Sequence, residues 1–196
     1  MPLILEGPEG EQFNIYPGWR NVARPQVGKW PFGTQLILQD GRKFRFAKAG
    51  GVDLVIGDII QAAANTANHV NTTAAANAVD ARTLTTTLGA TLASLDQYFQ
   101  GYANVSVTPG AGQIYLFDTT PAVASSGSFV GTLAAGHAIR VALTTTSRVD
   151  LIRNPYHNVI QSPITTATGV AVGVALSVIV TSETGNDFGW LQTRGI

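Results

Sequence analysis

The chain has 196 residues, twelve basic and twelve acidic side chains, and no cysteine. That length fits one domain, or one domain with an arm. The charge balance argues against bulk nucleic acid or an anionic membrane as a partner of the whole chain, and the missing thiol excludes disulfide scaffolds, Cys-ligated zinc, iron–sulfur clusters and thiol catalysis. Charged residues make up 12% of the chain and apolar ones 45%, against a usual charged share of about 25%. Little of the surface therefore has to stay wet. Either the chain is rich in strands and tight turns, or it buries much of its outside against other subunits; both can hold together.

The first fifty residues carry a net charge of +3 and residues 51–150 a net charge of −3. The stretch from Met1 to Glu6 has no basic n-region and reaches an acid after five residues, so no secretory signal is expected. The longest apolar stretch, 169–180, is twelve residues, where a spanning helix needs about 20; no membrane partner is expected, and the chain reads as soluble or as part of a soluble assembly. Five prolines at positions 2, 8, 17, 25 and 31 forbid a long helix at the start. Residues 1–32 are accordingly expected to form an extended arm, and residues 33–196 a β-rich domain. The arm's aromatic residues need a place to bury, on the body of the protein or on a neighbour.

Strand candidates follow. Residues 34–39 and 42–47 flank Asp40-Gly41, a type I′ hairpin signal. The return strand sets Phe44 and Phe46 against Lys43, Arg45 and Ala47. Residues 61–80 hold two Ala triplets but no apolar stripe of period 3.6, so an extended or loop segment is favoured over a short helix. From residue 82 onward the period is two: Leu84, Thr86, Leu88; then Gly101, Ala103, Val105, Val107; then Ile139, Val141, Leu143; then Val149, Leu151. The longest such run, 170–180, puts Val170, Val172, Val174, Leu176, Val178 and Val180 on one side, an expected β-branched wall. Turn clusters between these runs predict an all-β, antiparallel sandwich or barrel with little helix.

Chemistry-bearing patterns are sparse. His69, His137 and His157 show no metal-ligand spacing and read as isolated surface or loop histidines. Asp53 and Asp58 read as strand-end and turn carboxylates, although a distant catalytic pair stays open. No nucleophile elbow, P-loop or dinucleotide fingerprint is present. Basic and aromatic residues interleave from Trp19 to Phe46, a pattern that can stack bases, but only Arg42-Lys43-x-Arg45 is dense, which argues against nucleic acid as partner. No enzyme activity, metal or cofactor is expected.

Several motifs recur in an order that carries a resemblance: Phe44-Arg45-Phe46-Ala47-x-x-Gly50-Gly51, Ala67-Asn68-His69-Val70, Thr87-Leu88-Gly89-Ala90-Thr91, Gln97-Tyr98-x-x-Gly101-Tyr102, Val149-Asp150-Leu151-Ile152-Arg153-Asn154-Pro155-Tyr156 and Phe188-Gly189-Trp190-Leu191-Gln192-Thr193. Together, over about residues 33–195, they resemble the head decoration (cement) proteins of tailed phages, encoded near the major capsid protein. The resemblance implies a structural virion protein on the outer surface of the capsid, with the major capsid protein and further copies of itself as partners, in a homotrimer. Two features depart from the family: many members continue past the Gly-Trp-Leu-Gln-Thr motif into a second β lobe, whereas this sequence stops at Ile196, and Asp118 follows Tyr115-Leu116-Phe117 where relatives often have a basic residue. Interface cores favour aromatics and Arg over Lys, and Arg outnumbers Lys nine to three here. Phe13, Tyr16, Trp19, Arg20, Arg24, Trp30, Arg42, Lys43 and Arg45 are the candidate capsid or inter-subunit contacts; the competing expectation is that the aromatics close the protein's own core. Other readings are a head–tail connector, tail or fibre module, or a carbohydrate-binding β-domain.

Overall fold

The computed structural model describes residues 3–4, 30–37, 41–181 and 187–195. In chain order the strands are β1 (Leu3–Ile4), β2 (Gln35–Ile37), β3 (Lys43–Lys48), β4 (Ile59–Gln61), β5 (Thr72–Ala74), β6 (Thr83–Thr87), β7 (Tyr102–Val107), β8 (Ile114–Thr119), β9 (Ser128–Leu133), β10 (Arg148–Ile152), β11 (Ile160–Gln161), β12 (Ala171–Ala175) and β13 (Phe188–Arg194). The only helical element among the described residues is a 3-10 turn at Ala67–His69, so residues 61–80 are strand and loop apart from that turn. The protein is all-β, as the period-two alternation requires. The expected 33–196 domain resolves into two compact units: Asn65–Asn154 is continuous, and Met1–Ala64 joins Pro155–Ile196 to make the other.

The continuous unit is a closed antiparallel barrel with strand order β10-β5-β6-β9-β8-β7. Alternation turns Leu84 and Thr86, Ala103 and Val105, Tyr115 and Phe117, Phe129 and Leu133, and Val149 and Leu151 inward, all of them buried. Phe117 and Phe129 meet edge to face at 5.7 Å, and Tyr98 meets Phe129 at 5.8 Å, a preferred arrangement of ring quadrupoles. Gly131 on β9 is what admits this pair, because a Cβ there would run into the Phe117 ring. The inward Thr86 is satisfied by Thr72, at 2.7 Å, which donates onward to the Val149 carbonyl; a buried hydroxyl must find such a partner. Residues 139–143, expected as a strand, are not one. Ile139 and Leu143 are buried and Val141 is exposed, but β7 and β10 already close the barrel and leave no edge to extend. The segment instead bonds to residues 77–81, with Leu143 N–H on Asn77 O and Ile139 N–H on Ala81 O, and its two apolar side chains join the barrel core.

The discontinuous unit is a sheet of order β1-β2-β3-β13-β12-β4-β11, antiparallel except for the β1–β2 pair. Its β11 edge reaches back to the interior strand β3: Val159, just before β11, bridges Ala49, just after β3, with Val159 N–H on Lys48 O and Gly50 N–H on Val159 O at 2.8 Å each. The concave side holds Ala47, Ala49, Leu54, Ile60, Val159, Val172, Ala175, Ile179 and Leu191. The expected wall of 170–180 is interrupted. Strand β12 ends at Ala175, and burial changes phase within it: Val172 faces the core, then Ala175, Ser177 and Ile179 do. The pairing with β4 shifts register at Gly173, whose φ of +155° disfavours any other residue, and where a Cβ would sit 2.8 Å from the Gln192 carbonyl. A glycine bulge thus converts one continuous face into two half-faces. Of the expected arm, only β1 and residues 30–32 fall among the described residues.

Candidate functional site

Two clusters gather the residues singled out above. The first lies in the discontinuous unit, on the face of β3 and β13 opposite the aliphatic core. The register sets Phe46 against Trp190, with ring centroids 5.4 Å apart. Phe188 stacks on Phe46 at 5.9 Å and on Phe32 at 6.2 Å, and His157 stacks on Phe32 at 5.0 Å. Trp30 closes over Phe46 at 5.9 Å and Trp190 at 6.0 Å. A cation lies on either side of β3, Arg45 on the face of the aliphatic core and Lys48 on that of the aromatic layer. The Arg45 guanidinium donates to the Gly33 carbonyl at 2.6 Å and lies 5.9 Å from the Tyr156 ring centre. The Lys48 ammonium pairs with Asp187 at 3.4 Å and sits over Phe188 at 5.8 Å.

Of the nine candidate contact residues, Trp30 and Arg45 therefore pack within their own unit, as the competing own-core expectation has it for Trp30. Arg42 and Lys43 lie half-buried at the start of β3, and Lys43 stands opposite Arg194 in register, a like-charge pairing that is unfavourable across strands. Phe13, Tyr16, Trp19, Arg20 and Arg24 lie outside the described residues.

The second cluster is in the barrel unit; all three histidines lie in turns or loops, as expected, but two of them are not at the surface. His69 is fully buried and His157 nearly so; the half-buried His137 accepts the Leu116 N–H through Nδ1 at 3.3 Å. His69 Nε2 lies 2.9 Å from the Thr91 carbonyl, which can only accept. Nε2 therefore carries the proton, and Nδ1 accepts from the Tyr98 hydroxyl. The Tyr98 oxygen in turn accepts from Gln97 Nε2 at 3.2 Å, and Gln97 Oε1 accepts the Ser94 N–H at 2.9 Å. Arg153 Nη2 donates to Thr66 Oγ1 at 3.1 Å, while its buried Nε has no acceptor. Burial pushes the Tyr98 phenol above its ordinary value, opposed by the charge of Arg153 and by hydrogen bonds from Thr66, Gln97 and Arg153.

Nothing in the spacing of His69 and Tyr98 announces this contact; it is made by the fold. With the Thr91 contact it joins three of the motifs quoted above; Gly89 N–H on Asn68 O ties two of these again, and Asn154 Nδ2 on Gln100 O brings in a fourth. Each proton in the chain from Gln97 to Thr91 already has an acceptor. The cluster locks loops to the barrel and offers no free nucleophile.

The carboxylates Asp53 and Asp58 are engaged separately. Asp53 accepts from the N–H and hydroxyl of Thr181 at 2.6 and 2.8 Å, and Asp58 accepts from Gln161 Nε2. Among the described residues no group of three or more His, Cys, Asp or Glu is placed to hold a metal ion, and no helix is long and apolar enough to cross a membrane. Comparison with protein-family models, curated proteins and solved structures returned no match.

Proposed function

We propose that this chain is a structural virion protein, a decoration protein that covers the outside of a phage head, acts as a homotrimer and braces contacts between major capsid protein subunits. The observation that carries the reading is an apolar stripe on the outer face of the barrel. Ile152 on β10, Tyr102 on β7 and Leu116 on β8 are direct neighbours across three strands, and Ile114 lies two residues along. Ile152, Tyr102 and Ile114 are 37%, 39% and 59% exposed. A barrel whose outer face met only water would carry polar residues there; contiguous exposed apolar residues mark a surface made to be covered. Val52, Val55, Ile56 and Ile59 of the other unit are exposed as well, and the low charge of the whole chain agrees. A protein that binds the assembled shell and not its separated subunits stabilises that shell by mass action.

The test is the copy number of this chain relative to the major capsid protein in purified particles, by quantitative peptide mass spectrometry. A near-stoichiometric ratio is expected, and Tyr102→Glu is expected to lower it while leaving the purified chain folded. A handful of copies per particle would overturn the reading and move the chain to a portal or tail.

A further inference from the structure

We propose that a groove on the side of the barrel binds a neutral saccharide. The groove has a volume of about 530 Å³ and is formed by the segment around the 3-10 turn, by β5 and by the end of β6. That volume falls in the range of about 300–1,000 Å³ usual for small-molecule sites. The inference rests on this geometry and stands apart from the virion reading.

The chemistry of the lining selects the ligand. Thr73 and Thr87 face each other in register on β5 and β6, outward, since Thr72, Ala74 and Thr86 take the inward positions. Neither hydroxyl is engaged by another described side chain or backbone group, and the Asn71 side-chain amide is not either. Asn68 spends its amide nitrogen on Thr91 Oγ1 at 2.8 Å, which leaves its carbonyl oxygen as an acceptor. Hydroxyls and amides both donate and accept, as sugar hydroxyls do. Val70, 46% exposed, supplies apolar surface for the C–H face of a pyranose ring. Among the described residues no charged side chain lines the groove. The nearby Asp150 carboxylate is already taken by the Asn71 N–H at 2.7 Å and by Asn104 Nδ2 at 3.4 Å. That contact holds Asn71 in the left-handed region, at φ 57°, a conformation Asn tolerates and most residues resist.

The same bookkeeping disfavours a peptide. An extended peptide binds by adding a strand to a free sheet edge, but β5 lies between β10 and β6 in a closed barrel, so its backbone groups are spent. What remains free is side-chain hydroxyl and amide, which suits a ligand rich in hydroxyls.

The test is ligand-observed saturation-transfer NMR on the full chain with neutral mono- and disaccharides of glucose, galactose, mannose and N-acetylglucosamine, and with sialyllactose and a heparin disaccharide as charged comparators. Weak, millimolar-range binding of a neutral saccharide is expected. The double variant Thr73→Val, Thr87→Val keeps both β-branched shapes and should weaken it by about tenfold or more, two hydrogen bonds being lost, with barrel melting unchanged. Asn71→Gly, which preserves the backbone conformation and removes the amide, should weaken it too. No transfer from any neutral saccharide, a preference for the charged ones, or undiminished binding in both variants would overturn the proposal.

Discussion

Replacing Tyr98 by Phe isolates the buried hydroxyl. The ring keeps its edge contact with Phe129 at 5.8 Å, and Gln97 Nε2 keeps Thr66 Oγ1 at 3.3 Å. The loss falls on His69 Nδ1, a buried acceptor left with no donor because Nε2 stays committed to the Thr91 carbonyl. Such an orphaned group costs about 1–3 kcal/mol. For a unit the size of Asn65–Asn154, each kcal/mol lowers the melting temperature by about 4–8 °C, so a drop of about 4–24 °C is expected. The assay can be assigned to the right unit, since Trp19, Trp30 and Trp190 all lie outside residues 65–154. Tryptophan fluorescence then follows one unit while far-UV circular dichroism follows both, and Tyr98→Phe should move only the dichroism transition that fluorescence does not see. The phenol adds a pH signature. Its folded value is raised, chiefly by burial, so below about pH 10 both states are neutral and its contribution is whole. Above that the unfolded chain ionises first, and stability falls as pH rises toward the folded value. Tyr98→Phe should remove that part of the alkaline slope. A variant that melts with the wild type and keeps the same slope would refute the hydrogen-bond assignment.

Gly173→Ala should lower the stability of the discontinuous unit, read by tryptophan fluorescence, because the new Cβ would lie 2.8 Å from the Gln192 carbonyl and 2.9 Å from Leu191 Cβ at a φ of +155°; the expected cost is about 1–3 kcal/mol. Gly51→Ala, where nothing lies within 4 Å, should be neutral, and equal losses at the two positions would sink the bulge as the explanation. The segment 65–154 expressed alone should fold cooperatively, with a dispersed amide NMR spectrum, because it is a closed barrel with its own core and its two ends are tied by the Arg153–Thr66 hydrogen bond at 3.1 Å; a collapsed or aggregated product would contradict the division into two units.

Much of the fold was legible because period two is a local signal. Leu84 and Thr86, Ala103 and Val105, and Val149 and Leu151 are buried as their alternation demands. Where the reading failed, a non-local condition decided. Ile139 and Leu143 do point inward, but a strand needs an open edge, and the pairing of β7 with β10 had removed it. Residues 170–180 alternate without fault in sequence, yet a single glycine bulge reverses which side is buried. Even the division into two units follows from a long-range fact, the bridge of Ala49 to Val159, across more than a hundred residues of intervening chain.

The clusters were less legible than the strands, for the same reason. His69 looked isolated because its partners stand 29 and 22 positions away, and a histidine's role depends on what reaches its two nitrogens. Gln97, Tyr98 and Arg153 anchor loops to the barrel, so they mark how the chain folds and say little about what it touches. The stripe proposed as a contact surface had the opposite fate. Ile152, Tyr102 and Leu116 come from three strands, and each looks unremarkable in its own alternating run; only the barrel's register sets them side by side. Inward residues therefore report the architecture, and outward residues of the same strands, Tyr102 and Ile152 among them, are where partner contacts have to be sought. A substitution such as Tyr102→Glu probes binding with little cost to folding, whereas one at Tyr98 probes folding first.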